Sequence, residues 1–118
     1  MHRASLAAAV ILALALAPSN AAAQAAAPDG AALYRQNCRS CHGLRGIPPK
    51  HMVSVYPTLK AIGDSAFLRT RSVDSIVAVV RRGVGRNMKS FVDRLSPEEM
   101  TAVAQFVKSL ASDTTHAP

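Results

Sequence analysis

The sequence predicts a small all-α domain, and three observations carry that reading. Apolar residues recur at helical spacing in three separate segments, and each segment opens on a helix-start residue, Asp29, Ser72 or Ser96. Nothing after residue 23 alternates with period two for long enough to make a strand, and no internal repeat is present. At 118 residues the chain has room for one core.

The first segment reads as a leader. Met1, His2 and Arg3 form a short positive start, and Leu6 to Ala17 then runs without a charged or polar side chain. Pro18, Ser19 and Asn20 break this run well short of the roughly 20 apolar residues that a membrane span needs, so no permanent span is expected. Residues 1–23 are a signal peptide on this reading. Small residues at Ala21-Ala22-Ala23 and Ala25-Ala26-Ala27 place its cleavage near 23/24 or 27/28. An exported, periplasmic protein follows, with a linker over 24–29, a folded domain over 30–111 and a flexible tail over 112–118.

Asp29 can cap the first helix, in which Leu33, Tyr34, Asn37 and Cys38 recur at spacings of three and four. From Gly43 to Thr58, the glycines and Pro48, Pro49 and Pro57 predict an irregular wrapping loop. Ser72 opens a second helix on which Val73, Ile76, Val77, Val80 and Val84 share a face, with Gly83 and Gly85 ending it. Ser96, Pro97 and Glu99 form a capping box with proline at the first helical position. Met100, Val103, Ala104, Val107 and Ala111 then line one side of the last helix, widened by Phe106 and Leu110. A mature chain of about 90 to 95 residues with so few aromatics has a thin core, which a large flat apolar cofactor would fill.

Cys38-Arg39-Ser40-Cys41-His42 supplies the chemistry for such a cofactor. Two thiols one helical turn apart can bond neighbouring vinyl groups of one porphyrin, and His42, next in line, reaches the iron. Three other readings share these residues. A disulfide closing so short a loop removes little chain entropy and gives His42 no role. A thioredoxin-like pair would follow a strand within a βαβ pattern, not a helix. Zinc would need a fourth ligand, and the mature chain adds only His51 and His116, with no second paired motif.

The second axial ligand comes from Met52, Met88, Met100, His51 or His116. Met100 falls on the apolar stripe of the last helix, and His116 lies in the polar tail. Met88 follows Gly83, Gly85, Arg86 and Asn87 in a loop between two helices, which lets it approach the opposite haem face, and it is the expected ligand. Met52 and His51 stay as alternatives. An iron with no sixth protein ligand would instead make a haem-based ligand sensor.

Removing Arg3 with the leader takes the formal charge from +7 to +6, and the basic residues are scattered from Arg35 to Lys108. Without a basic cluster interleaved with aromatics, nucleic acid is not the partner. The charge reads either as solubility or as attraction to an acidic docking surface on a redox partner. No Ser/His/Asp set or carboxylate pair indicates an enzyme acting alone.

Taken together these residues resemble the class I, monohaem cytochrome c family, in particular small bacterial periplasmic members, over Gly30 to Leu110. Gly30, Tyr34, Cys38, Cys41 and His42 match the family's opening pattern, and Tyr56-Pro57-Thr58-Leu59 is similar to its middle segment. Gly85-Arg86-Asn87-Met88 with Phe91, Leu95 and Ser96-Pro97-Glu98-Glu99 resembles its ligand loop and closing helix, although Lys89 stands where bacterial relatives often have proline. The resemblance implies three to five helices around one covalent haem c. It also implies a close crossing of the first and last helices at Gly30 and Phe106, and a carbonyl of Pro48 or Pro49 accepting a hydrogen bond from His42. Single-electron carriage with His42 and Met88 on the iron is the implied function, whether as a free shuttle or as a subunit of a periplasmic dehydrogenase or oxidase complex.

Overall fold

A computed structural model describes residues 26–113. The leader over 1–23, the cleavage position near 23/24, His116 and the end of the tail lie outside the described residues.

Among the described residues run six helices and no strand: α1 Gly30–Asn37, α2 Arg39–His42, α3 Lys50–Val55, α4 Ser65–Arg69, α5 Val73–Arg82 and α6 Pro97–Asp113. The three helix starts legible in the sequence are built as their side chains require. Asp29 accepts from the Ala32 N–H at 3.0 Å, and Ser72 Oγ accepts from the Ser75 N–H at 3.1 Å. The capping box is reciprocal: Ser96 N–H donates to Glu99 Oε2 at 2.8 Å, and Glu99 N–H donates to Ser96 Oγ at 3.2 Å.

Two segments differ from expectation. The stretch from Gly43 to Thr58 is not irregular throughout, because α3 forms inside it. Pro49, extended at φ −62° and ψ 150°, sits at the N-cap, where a missing N–H costs nothing, so the proline pair starts a helix. Helix α4 is too short to show periodicity. Asp64 caps its start by accepting from Phe67 N–H at 2.9 Å, and Lys108 on α6 closes its far end with bonds to the Leu68 carbonyl at 2.8 Å and the Arg71 carbonyl at 2.7 Å. Val84, expected on the face of α5, lies beyond Gly83 and is exposed.

The core is organised by α6, whose Met100, Val103, Ala104, Val107 and Leu110 are all buried, against Leu68 of α4, Val80 of α5 and Tyr34 of α1. Helices α1 and α6 cross where the sequence resemblance places the contact. A Cβ built on Gly30 would collide with the Ala102 carbonyl oxygen and stand 3.2 Å from Phe106 Cβ, so only glycine permits this approach. The Tyr34 and Phe106 rings then meet with centroids 5.1 Å apart and planes tilted by 52°.

Tyr34 is wholly buried, and burial pushes its phenol well above the ordinary tyrosine range. Its hydroxyl donates to the Gly43 carbonyl at 2.8 Å, tying α1 to the residue that follows His42. Gly46 N–H keeps only a long 3.4 Å contact to the same oxygen. Tyr34→Phe should therefore lower stability by about 1 kcal/mol, read from the denaturant midpoint of the purified protein. No change would mean that water replaces the bond.

Candidate functional site

Helices α1 and α2 are one helical path interrupted at Cys38, whose φ of −119° and ψ of −34° re-aim the chain. Cys41 N–H and His42 N–H both return to the Cys38 carbonyl, at 3.2 and 3.0 Å. That single turn puts the two cysteines three positions apart on one helical stretch, with His42 adjoining. Gly43, at φ 75°, ends the turn in a conformation that side chains rarely adopt, which places the buried carbonyl that Tyr34 holds.

Both thiols are unpaired and half-buried. Cys38 packs against the core, and burial pushes its thiol up to about 11, opposed by the nearby Arg94 charge and assisted by Cys41. At neutral pH it is a protonated, apolar-facing thiol. Among the described residues no group of three or more His, Cys, Asp or Glu side chains is placed to hold a metal ion.

Burial holds the His42 imidazole below its ordinary pKa, hence neutral at physiological pH, while the Lys60 backbone works weakly the other way. Its Nδ1 is buried and has no hydrogen-bond partner. The expected bond from this ring to Pro48 or Pro49 is therefore not made through Nδ1. The Pro49 carbonyl is already engaged, accepting from Met52 N–H at 2.9 Å and Val53 N–H at 3.1 Å at the start of α3. A neutral imidazole with an unpartnered buried nitrogen, beside two unpaired thiols one turn apart, fits covalent haem with iron on the histidine.

Met88 stands in a tight turn between α5 and α6. Its N–H and carbonyl pair with Val84 at 3.3 and 2.8 Å, enclosing Gly85, Arg86 and Asn87. The side chain is half-buried and packs against the same core cluster as Cys38, so one core supports both sides of the candidate site. The competitors are placed otherwise. Met100 is buried at 3% exposure within α6 and serves the core. On α3, His51 is exposed, and Met52 is half-buried but not among the side chains packed on that cluster.

Lys50, Arg86 and Lys89 are all exposed, as are Arg81 and Arg82 at the end of α5. No helix among the described residues is long and apolar enough to cross a membrane. Sequence reasoning missed two residues of this region, Lys60 and Arg94. Each acts through backbone or long-range contacts that leave no local pattern.

Residues 25–107 match the family described as cytochrome c oxidase, cbb3-type, subunit III. The chain is similar to cytochrome c6 of Microcystis aeruginosa, 39% identical over 83 residues that cover 70% of this chain and 95% of the relative. It is also similar to the chloroplastic cytochrome c6 of Chlamydomonas reinhardtii, at 36% over 78% of this chain and 62% of the relative, and to cytochrome c6 of Nostoc sp. (strain PCC 7120 / SAG 25.82 / UTEX 2576), at 35% over 83% and 86%. Among solved structures, the KustC0563 c-type cytochrome superposes with a TM-score of 0.62 at 28% identity, covering 70% of this chain and 96% of that one.

Proposed function

Because the chain belongs to the c-type cytochrome family, with haem c as cofactor and electron transfer as function, we propose that Cys38 and Cys41 carry the thioether bonds and that His42 and Met88 are the axial ligands. The observation that carries this assignment is the Cys38–His42 turn, which presents two free thiols and a neutral imidazole together.

When bound, the haem supplies a reversible one-electron ferrous/ferric couple. His42 enters as the neutral base that burial already favours, without a proton to expel at physiological pH. Met88 offers an uncharged, soft thioether, which favours ferrous over ferric iron relative to a second imidazole and so raises the potential. With His42 and Met88 both holding the iron, the chain would leave it no position for a reactant, and the protein would carry electrons without binding a substrate.

Met88→Ala tests the assignment. The variant should show a lower reduction potential and lose the weak sulfur-to-iron absorption band of the ferric protein. An unchanged spectrum would move the ligand to Met52 or His51.

The exposed cations Lys50, Arg86 and Lys89 form a docking surface for an acidic redox partner, supported by the net formal charge of the chain. Electron transfer to such a partner should slow as ionic strength rises, because surface charges are screened beyond about 8 Å at 0.15 M salt. A rate independent of salt from 10 mM to 500 mM would remove these residues from the docking surface. The leader-like start supports export to the periplasm with haem attachment there.

The match to a family described by an oxidase subunit favours a second reading, in which the chain works within a respiratory complex. Co-purification with a catalytic subunit from membranes of the source cell would select it over a free shuttle.

A further inference from the structure

We propose that Arg94 is a positioning residue that latches the Met88 turn onto the helix leading into Cys38. The inference deepens the ligand assignment above and rests on it for its functional consequence.

Arg94 lies between the Met88 turn and α6, and its Nη2 donates to Asn37 Oδ1 at 3.0 Å across 57 positions of sequence. Asn37 is the last residue of α1, directly before Cys38. The amide of Asn37 is itself oriented, because its Nδ2 donates back to the Leu33 carbonyl at 2.9 Å, which leaves Oδ1 facing the arginine.

The other end of the latch is equally tied. The guanidinium carbon lies 5.2 Å from the centroid of the Phe91 ring, and the Arg94 N–H donates to the Phe91 carbonyl at 2.9 Å. Phe91 is buried, its N–H bonded to the Val80 carbonyl at 3.2 Å, and it follows Met88 by three residues. A planar guanidinium can stack on a ring face while its edge donates sideways, a combination lysine cannot make. Apolar packing draws the two segments together without direction, and the Arg94–Asn37 bond adds direction. The fall that the Arg94 charge produces in the Cys38 thiol, against the larger effect of burial, agrees with this proximity.

The consequence is that Met88 is held at a set height relative to the Cys38–His42 turn from outside the core. Loosening the latch should let the methionine leave more often while the rest of the fold stays closed, since loop openings of this kind occur far below global unfolding.

The test uses the full-length holoprotein and the variants Arg94→Gln, Arg94→Lys, Asn37→Ala and the double Arg94→Gln/Asn37→Ala. Two quantities are measured: amide hydrogen exchange of the reduced protein, and the rate at which cyanide binds the ferric protein. Loss of one exposed hydrogen bond and one ring contact should speed exchange at the Met88 and Phe91 amides about tenfold in Arg94→Gln, leaving the α6 amides unchanged, with cyanide binding faster by about the same factor. Asn37→Ala should reproduce the hydrogen-bond share, Arg94→Lys should fall between wild type and Arg94→Gln, and the double variant should be no worse than Arg94→Gln alone. If wild-type ferric protein lacks the methionine band, the ligand assignment fails, and the exchange data still judge the latch. Equal acceleration across α6, or no acceleration at Met88 and Phe91, overturns it.

Discussion

Protein in which Cys38 and Cys41 are both serine should emerge from its maturation host without covalent haem: its mass should equal that of the bare polypeptide, and an acid–acetone wash should remove all colour. The two thiols occupy one helical turn, Cys41 N–H returning to the Cys38 carbonyl at 3.2 Å, so a single rigid porphyrin edge can reach both. Serine is close in size and keeps a polar atom, so helix α1 and its Asp29 cap survive the change. What disappears is the sulfur that would bond the porphyrin.

The single variants should differ. Cys38 packs against the core whereas Cys41 does not share in that cluster, so Cys38→Ser places a hydroxyl in an apolar setting and carries an added stability cost of about 1–2 kcal/mol. Cys41→Ser should retain haem through one thioether with a measurable shift of the pyridine haemochrome band. A wild-type protein whose mass shows both sulfurs free or bridged, with no tetrapyrrole attached, would end the assignment altogether.

Gly30→Ala should cost about 3 kcal/mol or more, near the upper end of what overpacking does. The added methyl would run into the Ala102 carbonyl oxygen, a backbone atom of α6 that cannot swing aside as a side-chain tip could. Relief requires α1 and α6 to part. That movement would also pull Tyr34 from Phe106 and from the Gly43 carbonyl, and so disturb the residue that ends the His42 turn. In a domain whose whole stability is of order 5–15 kcal/mol, the loss should appear as a fall in thermal midpoint of well over 10 °C, since 1 kcal/mol is worth about 4–8 °C at this size. A melt within a few degrees of wild type would show that the crossing is looser than the structure has it.

Much of the fold is legible in the residue order because it rests on short-range chemistry. The caps at Asp29, Ser72 and Ser96 work through bonds to N–H groups three residues away, and the α6 stripe follows from a period of 3.6 residues. Helix α3 was hidden by Pro48, Pro49 and Pro57, since the same residue type that excludes a helix interior is favoured at its start. Helix α4 was invisible for a different reason: five residues are too few to show a period, and one of its ends is held by Lys108, 40 positions from Leu68.

The Cys38–His42 turn and the helical class are written in residue order, because thioether attachment needs both thiols within one turn and capping needs its partners within three positions, whereas the glycine at the helix crossing is expected only from the family resemblance. Which methionine stands with Cys38 on a common core, why Nδ1 of His42 finds no proline carbonyl, and how Arg94 meets Asn37 depend on segments far apart in the chain. No local pattern encodes such meetings; they arise when burial of α6 against α1, α4 and α5 brings distant backbone within hydrogen-bond reach.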